Sequence, residues 1–373
     1  MLLSFIVYTT CLALLYGGAY VFTHSKSAVR YRSVLIAPEI LFPILIVSII
    51  MGLRYDVGTD WMNYKNAYEE IRDVGINFNS YGGFEPLYVL LNAVVGIFNL
   101  PYQWFFFIQM CLMLFIAYKG FEPYKFILHF IVLFFVSTLF LNSLNAQRQI
   151  ISVYLFFFAI RYIKSREFWK YCVCALAATL FHKSSIILFP VYAISSSLFS
   201  FLDKRWTQIF LYVLSLTVFK LAVPWIIELI AKLVIGDVRY SRNIDSLGTW
   251  NLELNSGLGV LLIYVIDIVI IMFSKKLSET YNKYDFRLLF RIYFIGVLLS
   301  NMFQLDVFLS RIPLALESVR VIVMGFLIHY LLYINRTTFN YCLSLALSLL
   351  MIVFYFMTIS NGGAGCSPFQ FNI

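Results

Sequence analysis

The chain is 373 residues long, 61% hydrophobic and 13% charged, about half the charge of a soluble globular domain. With a mean hydropathy of +0.84, this excludes a water-soluble fold and predicts an all-α, polytopic helical bundle in a membrane, where every backbone N–H and C=O pairs inside a helix. The net charge of +9 does not imply nucleic acid, because most Lys and Arg sit in short loops between apolar runs, as in the cytoplasmic loops of membrane proteins.

In chain order, the start MLLSFIVYTTCLALLYGGAYVFTHSKS lacks a basic leader and a small-residue cleavage site, and is predicted as an uncleaved first span. Further apolar runs fall near 34–52, 84–100, 102–118, 126–142, 149–163, 168–181, 184–200, 206–222, 257–273, 287–303, 312–334 and 338–358. No internal repeat or low-complexity tract interrupts them, so a single integral membrane domain over 1–373 is expected. Five of the six cysteines lie inside apolar runs, and neither a CxxC pair nor paired metal-ligand spacing occurs.

Loop charge sets the orientation. The loops 24–32, 161–170 and 274–287 are net basic and are assigned to the cytoplasm. The loop 53–85, with three bases and six acids, and the loop 237–256, with two bases and three acids, are assigned outside. A full crossing by 84–100 would put the basic loop 161–170 outside, so this short run with Pro86 is predicted as a re-entrant or half-buried helix. About twelve crossings follow, with both termini outside. The stretch 221–236, carrying Pro224, Glu228 and Lys232, is predicted as an amphipathic helix at the outer interface.

Ionisable groups at membrane depth are costly, and each is a functional candidate. In LRYDVGTDWMNY, Arg54, Asp56 and Asp60 flank a Gly58–Thr59 turn and either brace one another or line a site, with Tyr55, Trp61 and Tyr64 as interfacial rings. Glu85 precedes a helix-starting proline and is either a dipole-favoured charge or a site acid. In LNAQRQIIS, Arg148 between Gln147 and Gln149 is donor-rich in a way that suits an oxyanion or sugar hydroxyls. His182 and Lys183 break two apolar runs in LFHKSSIILFP, near the outer face. Arg311 opens a span in which Glu317 and Arg320, at i and i+3, can pair, while Asp267 has no obvious local partner.

The outward arginines 54, 148 and 311 with His182 and Lys183 form a candidate anion site, since planar guanidinium groups suit phosphate oxygens. Asp56, Asp60 and Glu85 are candidate bases. No phosphate-binding glycine loop, dinucleotide fingerprint, HExxH or serine-hydrolase elbow is present, and the DxxxD spacing is a weak metal pattern.

The elements RYDVGTDWMNY and EPLY, then NAQRQIIS, FHKSSIILFP and SRIP, resemble in order and rough spacing the EpsG-like branch of bacterial polysaccharide polymerases, which includes Wzy-type O-antigen polymerases. The motifs span about residues 50–320. The resemblance implies an inner-membrane enzyme of GT-C-like glycosyltransferase architecture, with its active site facing the periplasm. It joins a glycan on undecaprenyl pyrophosphate to a lipid-linked repeat unit and releases undecaprenyl pyrophosphate. No cofactor or metal is implied, and chain-length regulator and flippase proteins are expected partners in the bilayer.

On this footing Arg148 and Arg311, with Arg54 or Lys183, would hold pyrophosphate, and Asp60, Asp56 or His182 would act as base, Asp60 first among them. Gln147, Gln149, Glu85, Tyr64 and Arg320 complete the set, and Trp61, Tyr64, Tyr81 and Trp250 offer ring faces to sugars. SRIP continues into LALESVR, which leaves Arg311 and Arg320 as alternatives. An O-antigen ligase-like transferase, a transporter using Arg320, Asp267 and Glu317, and an O-acyltransferase centred on His182 are the competing readings.

Overall fold

The computed structural model describes residues 1–31, 33–76, 84–219, 222, 257–304 and 309–371. The predicted loop 237–256 with Trp250, most of the segment 221–236, and Tyr81 lie outside the described residues. Among those described the chain is all-helical, and its one β-bridge, Arg54 with Phe371, is isolated.

The longer helices are α1 (Leu2–His24), α2 (Pro38–Gly52), α3 (Trp61–Val74), α4 (Pro86–Gly96), α5 (Tyr102–Phe121), α6 (Leu128–Phe135), α7 (Gln147–Lys164), α8 (Phe168–Phe181), α9 (Arg205–Leu214), α10 (Leu258–Thr280), α11 (Phe286–Phe303), α12 (Arg320–His329) and α13 (Thr338–Ser360). They group into two compact units: Met1–Tyr192 with Met324–Ile373, and Ala193–Val323.

Among the described residues five helical runs are long and apolar enough to cross a membrane: Leu2–His24, Tyr102–Phe140, Phe286–Phe303, Leu314–Ile334 and Thr338–Ser360. About twelve crossings were expected. Part of the difference lies in apolar helices that are short or broken, and the run Tyr102–Phe140 covers two of the expected segments. α2 has 15 residues with Pro43 inside, about 22 Å at 1.5 Å per residue, and α8 has 14. A full crossing needs about 30 Å.

In the first unit, helix ends sort to two faces. At one end the loop 24–33 meets the loop after α5, where Lys119 Nζ reaches Ser33 Oγ at 3.2 Å and Glu122 at 2.6 Å. The Arg161 guanidinium donates to the Lys119 carbonyl at this same end, so the basic loops 24–32 and 161–170 share one face. At the opposite end Phe369 N–H donates to Ser4 Oγ at 2.9 Å, and Tyr8 OH donates to the Cys366 carbonyl at 2.7 Å. The start of α1 and the segment Cys366–Phe371 therefore sit with the 53–60 loop.

The stretch from α2 to α5 leaves and returns at one face. A Cβ on Gly52, at the end of α2, would lie 2.8 Å from Phe107 Cβ, near the start of α5. Between them α3 and α4 lie side by side in parallel. The Tyr64 and Tyr88 rings are 5.6 Å apart at one end, and a Cβ on Gly96 would lie 3.2 Å from Arg72 Cα at the other. With 11 residues, α4 is about 16 Å long, half of a bilayer core. α3 is amphipathic, burying Trp61, Tyr64, Ala67, Tyr68 and Ile71 at helical spacing.

In the second unit, Arg291 forks Asp203 at 2.8 and 2.6 Å and donates to the carbonyls of Ile194 and Ser196, holding the turn before α9 against α11. Asp267 of α10 is 1% exposed and pairs with Arg320, the first residue of α12, at 3.1 Å.

Candidate functional site

The loop after α2 does not close on itself. Arg54 is 1% exposed; its Nη1 donates to the Met51 carbonyl at 2.8 Å and its guanidinium lies 4.3 Å from the Phe106 ring centre. Burial pushes its pKa down to about 10 despite the nearby phenols of Tyr8, Tyr88 and Tyr64. Asp56, at φ 52°, is exposed. Asp60 begins α3, and its amide donates to Asn145 Oδ1 at 3.0 Å, which also takes the Thr59 hydroxyl.

The mutual bracing of Arg54, Asp56 and Asp60 is thereby corrected, with no ion pair among them. The guanidinium is stacked on the Phe106 ring, while its backbone is drawn toward Phe371. Trp61 and Tyr64, expected to face sugars, are 0% and 3% exposed, because they lie on the apolar face of α3.

The carboxylate that gathers the polar residues is Glu85, whose side chain is 5% exposed. It stands at the N-cap of α4, where the following Pro86 suits the first turn. One oxygen takes the Arg148 Nη1–H. The other lies 3.3 Å from His182 Nδ1 and accepts the Lys183 amide at 3.2 Å.

Burial alone would raise the Glu85 pKa. The His182 hydrogen bond, the Arg148 charge and the Lys183 amide outweigh it and hold the carboxyl at about 2. It is ionised at neutral pH and a weak base. Arg148 in turn lies 4.4 Å from the Phe84 ring centre and donates a hydrogen bond to the Tyr64 hydroxyl oxygen.

Around this core, Tyr88 OH donates to Gln147 Oε1 at 3.0 Å, and Gln147 is 1% exposed. Gln149 is buried and Lys183 is exposed. Arg54 Nε, Gln147 Nε2 and Arg148 Nε are buried donors without a partner among the described residues. A surplus of buried donors beside one ionised acid suits an oxygen-rich ligand.

The chain arrangement explains the meeting. α7 begins at Gln147 and α8 ends at Phe181, and the two run antiparallel, with Ser152 Oγ donating to the Ala178 carbonyl at 2.8 Å. This places Arg148 and His182 at one end of the pair, beside the start of α4. Tyr88 and Asn145 join the site from within the EPLY and NAQRQIIS motifs, and their neutral side chains carry no charge signal in the sequence.

Arg311 and Arg320 belong to the second unit. Arg311, which is exposed, ends a 3₁₀ turn, Leu309–Arg311. The expected Glu317–Arg320 pairing is corrected. The helix breaks after Glu317, and Arg320 instead forks Asp267, Nε to Oδ1 at 3.1 Å and Nη2 to Oδ2 at 3.3 Å, while Tyr293 OH donates to the same acid. Among the described residues no group of three His, Cys, Asp or Glu is placed to hold a metal ion.

No curated protein and no solved structure matches the chain. The family model described as the EpsG family matches residues 40–371, nearly the whole sequence, and the chain belongs to that family.

Proposed function

We propose that this protein is a lipid-linked oligosaccharide glycosyltransferase, joining undecaprenyl-pyrophosphate-linked repeat units into O-antigen or a related surface polysaccharide. Membership of the EpsG family supports a polysaccharide polymerase-like role. The observation that carries the finer reading is the Glu85–Arg148–His182 cluster with its surplus of buried donors.

In the proposed reaction an acceptor sugar hydroxyl attacks the anomeric carbon of the donor glycan. The new C–O bond forms as the bond to pyrophosphate breaks, and the hydroxyl proton passes to a base. With Nδ1 toward Glu85, His182 keeps the tautomer whose Nε2 accepts that proton. Glu85, ionised and weakly basic, orients His182 and fixes Arg148. Arg148 and Lys183 offset the charge on the leaving pyrophosphate, with Arg54 beneath them. Asp60 and Asp56, nearer the surface, are the alternative bases, and Gln147 and Tyr64 position the arginine.

By the charge rule for membrane loops, the basic end faces the cytoplasm and the 53–60 loop faces the periplasm of the inner membrane. In this proposal shorter and broken helices such as α2, α7 and α8 complete about twelve crossings in a GT-C-like bundle. Chain-length regulator and flippase proteins are its partners.

Deleting the gene and running the surface glycan on a gel tests this. Collapse of the ladder to a single repeat unit supports polymerase, complete loss of glycan from the lipid core supports a ligase, and an unchanged ladder rejects both.

A further inference from the structure

The second unit holds a polar cavity that the reaction above does not use. It has a volume of about 250 Å³, and its lining includes Tyr264 of α10, Ser300 and Asn301 of α11, Gln304 at the C-cap of that helix, and Glu317 and Arg320. Its wall is ordered by direct bonds. Tyr264 OH donates to Gln304 Oε1 at 2.7 Å, Asn301 Nδ2 donates to Ser215 Oγ at 3.0 Å, and Ser300 bonds the Glu317 carboxyl. Gly296 fixes the acid's place. A Cβ there would lie 2.3 Å from Glu317 N, so only glycine lets this backbone lie flat on α11.

The charges argue against an anion. Arg320 presents two nitrogens to the two oxygens of Asp267, which neutralises it internally. Glu317 is the remaining charge-bearing group of the lining, and with Arg320 engaged no other cation stands among the lining residues to hold phosphate or pyrophosphate. Besides the apolar Val260 and Ile263, what remains is a carboxyl, two side-chain amides, hydroxyls and one phenol ring: donors and acceptors for vicinal hydroxyls, with an aromatic face. The volume lies just below the range of drug-sized pockets, on the scale of one small polar ring.

We propose that this cavity is a subsite for one uncharged sugar residue of a glycan, with the Glu317 carboxyl accepting from its hydroxyls and Gln304 and Asn301 fixing its orientation. The proposal rests on the polymerase reading for the source of that sugar, but binding itself requires no transfer.

The test uses purified full-length protein in lipid nanodiscs. The probe is the repeat-unit oligosaccharide released by mild acid from the host's own lipid-linked pool, titrated calorimetrically. Wild type should bind it, and neither inorganic pyrophosphate nor sodium ions should displace it. Glu317→Gln and Gln304→Ala should each weaken binding about tenfold or more, the scale of one charge-assisted hydrogen bond.

Both cavity variants are compared as monodisperse protein, so that one can report if the other misfolds. Absence of binding by wild type, wild-type binding by both variants, or displacement by pyrophosphate or sodium overturns the proposal. Binding as expected beside an unchanged glycan ladder in the deletion strain keeps the subsite and rejects the polymerase. A collapsed ladder with unaffected binding in both variants does the reverse.

Discussion

The amide of Gly58 donates to the carbonyl of Gly365 across 2.8 Å, tying the motif loop to the last residues of the chain. Tyr55 N–H adds a bond to the Gln370 carbonyl at 2.9 Å. Both glycines have positive φ, 104° and 65°, and neither has room for a side chain. A Cβ on Gly58 would lie 2.4 Å from the Leu144 carbonyl, and one on Gly365 would lie 2.7 Å from Thr59 N. The loop is held between the start of the Arg148 helix and the C-terminal segment.

Replacing Gly365 with Val should therefore loosen the 53–60 loop, costing about 1–3 kcal/mol from backbone strain alone. Truncation after Asn361 should do the same without a clash. Hydrogen exchange of Tyr55 and Gly58 reports it: faster exchange with shortened polymer is expected, and unchanged exchange in the truncated protein would show that the tie is incidental.

Arg54 is a buried cation with no ion pair among the described residues, so its charge opposes folding. An apolar side chain of similar length should be tolerated, as when buried charges are replaced by packed hydrophobes. Arg54→Met is expected to melt at or above the wild-type temperature in detergent and yet to make no polymer. A stable variant with a normal glycan ladder would remove Arg54 from the site.

Glu85 sets an acid limit. Its folded pKa of about 2 lies below the ordinary 4.5, so the stabilisation it contributes is complete above about pH 4.5 and is lost as pH falls toward 2. Glu85→Gln leaves Arg148 without its anion and should cost about 2–4 kcal/mol at neutral pH, with loss of polymer. Melting curves across pH 6 to 3 should show the gap between wild type and variant constant above 5 and narrowing below 4.5. A gap independent of pH would separate the two effects.

Asp267 and Arg320 form a buried pair, so removing one partner should hurt more than removing both. Arg320→Leu is expected to cost about 3–5 kcal/mol, and the double variant Asp267→Leu with Arg320→Leu to recover most of it. Additive losses in the thermal melts of this cycle would show that the two charges act independently.

Orientation is open to direct labelling. Cysteine introduced at Asp56, which is exposed, should react in whole cells with a membrane-impermeant maleimide that has crossed the outer membrane. Cysteine at Arg166, at the basic end, should react only after lysis. The reverse pattern would place the site in the cytoplasm.

Much of this protein is legible in its local pattern. Composition with its long apolar runs points to a helical membrane bundle, because only helices and closed barrels satisfy their backbone in lipid and runs of about 20 residues suit helices. Basic residues in 24–32 and 161–170 mark the face those loops share, since loop charge is a local property. The parity argument predicts a re-entrant or half-buried helix at 84–100, and the helix found there, α4, has 11 residues. The motifs around Arg148 and His182 also carried the family to which the chain belongs.

Tertiary structure alone decided which charges meet. Asp60 stands close to Arg54 in sequence, yet the acid against Arg148 and His182 is Glu85, 63 residues before Arg148. Arg320 turned from Glu317, three positions away, to Asp267, 53 positions away. The C-terminal segment reaches the motif loop across almost the entire chain, which no periodicity announces. Spacing along a helix states which face is polar, because 3.6 residues complete each turn. It does not state which neighbouring helix that face will meet. The partner of a buried charge is set by the register between helices far apart in sequence, where leaving it unpaired would cost more than any local preference can return.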